Sequence, residues 1–164
     1  MNAVSPKILV VDDDATIRDI VSKMLCQLGF EVSSADSAES GLALFLKNKF
    51  DLVITDFSMS GMDGIQLACC IKEESPSTQV VLMTGHEKES ILSRIRDTAV
   101  DQALFKPITL AQMDATVQVL MHPKNERTNQ NIFRYCPSQL NSCNLRSHRH
   151  KFAPTFPKGC SFEE

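Results

Sequence analysis

The chain has 164 residues, 43% of them hydrophobic, which is enough for one domain with a real core and an extension. Residues 1–123 carry 10 basic and 17 acidic side chains, whereas residues 124–164 carry 7 and 3. The acidic first part is poorly suited to bind phosphate backbones, so direct nucleic-acid binding is not expected. The sequence shows neither a secretory signal nor a run of about 20 apolar residues. We therefore expect a cytoplasmic protein without membrane insertion.

Residues 7–121 alternate five times between a strand pattern and a helix pattern. Strands are predicted at residues 7–11, 31–35, 51–55, 79–83 and 102–105, and helices at residues 15–28, 37–49, 61–74 (with a leading loop), 88–98 and 109–121. Asp14 and Ser37 are the expected N-caps of the first two helices. Alternation at this length indicates right-handed crossovers and a parallel sheet with helices on both faces.

The composition changes after Met121. Residues 124–164 are rich in Asn, Ser, Pro, Arg and Cys and keep neither a helical nor a strand period. We predict a low-complexity, mostly disordered C-terminal tail that is too short and irregular to be a separate DNA-binding domain.

Charged or hydroxyl-bearing residues directly follow four of the predicted strands. Asp12–Asp14 follow the first strand, Asp56 the third, Thr84 the fourth and Lys106 the fifth. The carboxyl ends of parallel strands form the ligand-binding edge of an open sheet, so these residues should converge. Carboxylates, one hydroxyl and one ammonium group are suited to a divalent metal ion and a phosphoryl group.

In this pattern the sequence resembles the receiver domain of two-component response regulators, the chemotaxis regulators among them. The resemblance covers about residues 5–121 and includes the stretch Asp-Phe-Ser-Met-Ser-Gly-Met-Asp-Gly at 56–64. It implies a flavodoxin-like, doubly wound α/β fold, with a five-stranded parallel sheet of order 2-1-3-4-5 and five helices. We accordingly assign residues 1–123 to a receiver domain. It also implies a cis bond between Lys106 and Pro107.

The resemblance implies a magnesium ion as cofactor. Asp13 and Asp56 would bind Mg²⁺ directly with the backbone carbonyl of Ser58, and Asp12 would bind it directly or through a water. Mg²⁺ prefers oxygen ligands and would offset the mutual repulsion of the carboxylates. Asp14 is expected to cap the first helix rather than to bind metal.

The resemblance also implies a phosphoryl switch centred on Asp56. This residue would accept a phosphoryl group from a histidine kinase or a histidine phosphotransfer protein. Lys106 and Thr84 would each contact one phosphoryl oxygen. The protein would then be an autocatalytic phosphoacceptor, not a turnover enzyme. Its output would be a changed protein-binding surface at residues 88–121, with Ile91, Ile95, Ala103, Met113 and Val117 as candidates to move or be exposed.

Two departures from the family pattern leave alternatives open. Ser60 stands where the family usually has proline, and Ala103 stands where many receivers carry a Tyr or Phe that rotates on phosphorylation. The loss of that aromatic ring gives some weight to a phosphorylation-independent adaptor that retains the acidic pocket. A metal-dependent phosphohydrolase is a second alternative, since Asp12-x-Asp14 has the right spacing. That class would need a cap segment, which we do not find, and would leave Asp56 without a role.

Overall fold

The computed structural model describes residues 5–85, 88–96 and 98–121, in which five strands alternate with five helices. The strands are β1 (Lys7–Val11), β2 (Glu31–Ala35), β3 (Leu52–Asp56), β4 (Gln79–Thr84) and β5 (Gln102–Phe105). The helices are α1 (Ala15–Gln27), α2 (Ala38–Lys47), α3 (Gly64–Glu74), α4 (Lys88–Ile95) and α5 (Leu110–Met121). All neighbouring strands are parallel, in the order β2-β1-β3-β4-β5. The predicted flavodoxin-like fold is confirmed.

Helices cover both faces of the sheet because alternate strand residues point to opposite sides. Leu9 and Val11 of β1 pack with α2 and α3, whereas Ile8 and Val10 pack with α1 and α5. Every residue of β3 is buried, as expected for a central strand covered on both faces. The polar site must therefore lie at a strand end, because the middle of the sheet has no solvent access.

The helix starts are fixed by side-chain caps. The Asp14 carboxylate accepts hydrogen bonds from the backbone N–H groups of Thr16 (2.8 Å) and Ile17 (3.3 Å), so its predicted capping role is confirmed. Ser37 caps α2, and Ser40 completes a capping box in place of the usual Glu or Gln.

The third helix follows a leading loop, as the sequence predicted. It starts at Gly64, because Asp63 and Gln66 form a capping box there. Residues 57–63 therefore form an ordered loop between β3 and α3, called the β3–α3 loop below. Helix α4 is shorter than predicted, because it ends at Ile95 rather than at residue 98.

Three residues predicted to move or be exposed on the output face belong to the core. Ile91, Met113 and Val117 are at most 1% exposed, because each packs toward the sheet. The prediction that these three residues are exposed is therefore wrong. The other two candidates, Ile95 and Ala103, are half-buried. The predicted tail at 124–164 lies outside the described residues. Of the helices in the described part of the chain, none has the length and apolarity needed to cross a membrane.

Candidate functional site

The predicted site residues meet at the carboxyl edge of the sheet. Asp12 follows β1, Asp56 ends β3, Thr84 ends β4 and Lys106 follows β5. The Lys106 ammonium lies between two carboxylates, 2.6 Å from Asp56 Oδ1 and 3.0 Å from Asp12 Oδ2. Residues that are 94 and 50 positions apart in sequence are thereby joined through one cation.

Burial makes this charge cluster energetically important. The side chain of Asp12 is 1% exposed, that of Asp56 9% and that of Lys106 24%. A buried charge is tolerated only when it is paired and hydrogen-bonded. Burial raises the pKa of Asp12, although the hydrogen bonds from Lys106 and from the Asp14 N–H oppose that rise.

The same cluster favours the charged form of the lysine. Burial alone would lower the pKa of Lys106, but the hydrogen bonds to Asp56 and Asp12 outweigh it and raise that pKa above 10.5. At neutral pH, Lys106 is therefore a fixed positive charge between two acids. A further anion entering this edge of the sheet would meet a cation already in position.

Both oxygens of Asp56 are oriented. Oδ1 accepts from Lys106, and Oδ2 accepts a 2.7 Å hydrogen bond from the backbone N–H of Ser58. Asp12 is equally constrained, since its Oδ1 accepts from Asp14 N–H at 2.9 Å and its carbonyl accepts from the Arg18 guanidinium at 2.6 Å. Sequence analysis did not identify this contact of Arg18, and its position one turn into α1 gave no signal for it.

The backbone around the site is closely packed. A Cβ built on Gly64 would lie 2.2 Å from the carbonyl oxygen of Asp56, so only glycine fits there without movement. Gly61, with φ of +84°, occupies the left-handed region that favours glycine. Among the described residues, by contrast, no heavy atom lies within 4 Å of a Cβ built on Gly85. Among these residues, packing is therefore tight behind Asp56 and loose around Gly85.

Thr84 and Lys106 are coupled through the backbone. Thr84 is 1% exposed, and its carbonyl accepts a 2.8 Å hydrogen bond from the Lys106 N–H. Thr84 is also the register partner of Phe105. The bond between Lys106 and Pro107 is cis, as predicted.

The donor chemistry of the site fits a magnesium ion. Asp12 and Asp56 supply carboxylate oxygens, the ligand type that Mg²⁺ prefers, and Mg²⁺ commonly uses only one or two carboxylates plus waters. Asp13, the next residue along the chain, is exposed at the same edge of the sheet. Within the described ranges, no three acid, His or Cys side chains are arranged as a ready-made metal cage. The chain would thus supply part of a coordination shell and leave positions open.

The region where Ala103 replaces an aromatic residue is an apolar cluster between α4 and the sheet. Phe57, Leu82 and Ile91 are buried there, with Ala103 and Phe105 packed against them. Phe105 shares its strand face with Ala103, while Leu104 lies in the opposite core, as the strand alternation predicted. The Arg94 guanidinium stacks 4.6 Å from the centre of the Phe57 ring, a contact that sequence analysis missed.

Comparison with known proteins identifies the fold family. The model of the response regulator receiver domain matches residues 8–118. A probable chemotaxis protein CheY from Rhizobium etli is 31% identical over 118 residues, which cover 70% of this chain and 91% of that protein. The autoinducer 1 sensor kinase/phosphatase LuxN from Vibrio campbellii is 36% identical over 110 residues, covering 67% of this chain but only 13% of LuxN.

Solved structures agree with the sequence comparisons. The response regulator protein TrrA from Thermotoga maritima, determined in complex with Mg²⁺-BeF, superposes with a TM-score of 0.63 at 28% identity. The match covers 70% of this chain and 98% of TrrA. With its matched sequence, its strand order and its acidic edge, the chain belongs to the response regulator receiver domain family of two-component signalling.

Proposed function

We propose that this receiver domain accepts a phosphoryl group on Asp56 in a Mg²⁺-dependent reaction and thereby switches a protein-binding surface. The observation that carries the proposal is the Lys106 ammonium held between the buried carboxylates of Asp56 and Asp12. A phosphoryl transfer site needs mainly positioning and charge stabilisation, and this arrangement supplies both.

The phosphoryl donor in this proposal is a phosphohistidine of a histidine kinase or of a histidine phosphotransfer protein. The sensor kinase/phosphatase LuxN contains a segment that is similar to this chain, and this similarity supports a partner of this class. An oxygen of Asp56 forms a bond to phosphorus while the phosphorus–nitrogen bond breaks. The imidazole nitrogen keeps that electron pair and takes up a proton. The product is a mixed anhydride on Asp56, which a water can later hydrolyse to release phosphate.

The residues of the chain divide the work. Lys106 keeps its charge throughout and can follow the negative charge from the carboxylate to a phosphoryl oxygen. Thr84, which ends the neighbouring strand β4, would offer its hydroxyl to another phosphoryl oxygen. Asp12, Asp13, Asp56 and the Ser58 carbonyl would hold Mg²⁺. When bound, the ion would neutralise the carboxylates and one phosphoryl oxygen.

The domain in this proposal is not a turnover enzyme. It catalyses only the gain and loss of its own phosphoryl group and has no outside substrate besides the phosphodonor. Phosphorylation shifts a two-state population toward the conformation that the new charge favours. The surface that reads out the change would be formed by α4, β5 and α5.

Intact mass spectrometry after incubation with acetyl phosphate and Mg²⁺ tests the proposal. We expect the wild type to gain one labile phosphoryl group, and we expect that gain to be absent in Asp56→Asn and in a sample with excess chelator. An unmodified wild type would overturn the proposal and favour the phosphorylation-independent adaptor. Unchanged partner binding by Asp56→Asn would favour the adaptor as well, since that activity would not need the phosphoryl group.

A further inference from the structure

The β3–α3 loop (residues 57–63) carries the Ser58 carbonyl beside the phosphoacceptor, and both ends of this loop are firmly anchored. At its start, Phe57 N–H donates to Met83 O at 2.8 Å. At its end, the capping box of Asp63 and Gln66 holds the loop against α3. Within the described part of the chain, residues 58–62 pair with no strand, so the shape of the loop depends on other contacts.

One of those contacts comes from a separate helix. The carboxylate of Glu39, in the first turn of α2, accepts a 3.2 Å hydrogen bond from Met62 N–H, across 23 residues of sequence. A Cβ built on Gly61 would lie 2.8 Å from the same Oε1 atom. The carboxylate therefore sits directly against the left-handed turn of the loop.

The loop sequence makes this contact more important. Ser60 stands where the family usually has proline, so the backbone lacks the φ restriction that a proline would impose there. Met59 and Met62 pack against the core between α2 and α3 and give the loop an apolar base. Met side chains are flexible and fix a backbone orientation poorly. The hydrogen bond from Met62 N–H to Glu39 supplies the directional constraint.

We propose that Glu39 is a positioning residue for the phosphoacceptor site. Its carboxylate holds the Gly61–Met62 backbone and thereby sets the orientation of the Ser58 carbonyl, which would bind Mg²⁺ beside Asp56. This inference rests on the proposed function for its consequence, but the restraint on the loop exists without metal or phosphoryl group. Groups that orient a metal ligand from outside typically change metal affinity by about 10–100-fold when they are removed.

Amide hydrogen exchange of the metal-free, full-length protein tests the restraint itself. In Glu39→Ala, we expect Met62 N–H to exchange at least about tenfold faster than in the wild type, with other amides of the core unchanged. Glu39→Gln keeps an acceptor oxygen and should restore most of the protection. Glu73→Ala removes an exposed glutamate of α3 and is the matched control. Unchanged exchange at Met62 in Glu39→Ala, or faster exchange throughout the core, would overturn the inference.

A Mg²⁺ titration tests the link to the site. We measure the slowing of exchange in residues 57–63 as Mg²⁺ is added, which needs no phosphodonor. The midpoint should rise about tenfold in Glu39→Ala and little in Glu39→Gln or Glu73→Ala. An unchanged midpoint would overturn the positioning role. If the wild type binds Mg²⁺ with this dependence yet takes up no phosphoryl group, the proposed function fails while the inference about Glu39 stands.

Discussion

Replacing Gly64 by alanine should distort the site around Asp56, because the added Cβ approaches the backbone of that residue. The added Cβ would lie 2.2 Å from the Asp56 carbonyl oxygen and 2.7 Å from Leu82 Cδ1, where ordinary contacts begin near 3.4 Å. The N-terminus of α3 and the end of β3 must therefore separate by roughly 1 Å. The Leu82 side chain can yield, but the Asp56 backbone is held in the central strand.

The size of the effect follows from the nature of the clash. Overpacking a well-packed core costs about 1–3 kcal/mol, and a backbone clash belongs at the upper end. For a domain of this size, we expect the unfolding midpoint to fall by about 10 °C. The rate of phosphorylation by acetyl phosphate should fall as well, because the carboxylate moves relative to Lys106.

Calorimetry and intact mass spectrometry of matched variants check this prediction. Gly85→Ala is the control, because its Cβ meets no atom of the described residues within 4 Å and should leave the unfolding midpoint within about 2 °C. A midpoint for Gly64→Ala that matches Gly85→Ala would refute the reasoning. It would mean that the close approach of α3 to Asp56 is relieved at no cost.

Substitutions at three further positions test the charge cluster and the helix cap beside it. Lys106→Met leaves two buried carboxylates without their shared cation, so the free energy of unfolding measured in urea should fall by about 1–3 kcal/mol. Added Mg²⁺ should recover part of this loss. An unchanged free energy of unfolding would contradict the pairing. The wild-type contribution is full below pH 10.5 and is lost as the pH rises through the raised pKa of Lys106. Asp12→Asn should raise the unfolding midpoint of the metal-free protein at pH 7 but not below pH 3.8. The reason is that the pKa of Asp12 is raised in the folded state, so ionisation of this carboxyl lowers the stability of the fold as the pH increases. A lower midpoint at pH 7 would contradict this. Asp14→Ala should lower the midpoint without abolishing phosphorylation, and Asp14→Asn should restore the cap; loss of phosphorylation in both would show that Asp14 acts in the site instead.

The strand ends were predictable from sequence because their signal is local. An apolar run ending in Asp12, Asp56 or Lys106 indicates both the strand and its polar terminus, and parallel topology brings the termini together. The contact of Glu39 with Met62 gave no such signal, because it joins helix α2 to the β3–α3 loop through one backbone N–H, between residues 23 positions apart. The start of α3 was predictable from sequence, because Gln66 follows Asp63 at the spacing of a capping box.

Exposure on the output face was misjudged for a different physical reason. The hydrophobic periodicity correctly placed Ile91 on α4 and Met113 on α5. It did not show which side of each helix faces the sheet, because that depends on how the helix packs against its neighbouring elements. Both helices turn these large apolar residues inward. The exposed positions of this face include Arg94 on α4 and Val119 on α5, whereas Ala103 is half-buried.

The packing around Ala103 indicates how a switch could operate without a rotating aromatic at that position. A phosphoryl group on Asp56 would attract the side chains of Lys106 and Thr84, whose backbones share a hydrogen bond. Phe105 lies in register with Thr84 on the neighbouring strand. The Phe105 side chain packs in the same cluster as Phe57, the residue directly after Asp56. Movement at the acidic edge would thus reach α4 by displacement of packed rings, with the Arg94–Phe57 contact as a direct link to the helix surface. The signal in this chain would travel through the cluster that closes over the alanine, and not through the alanine itself.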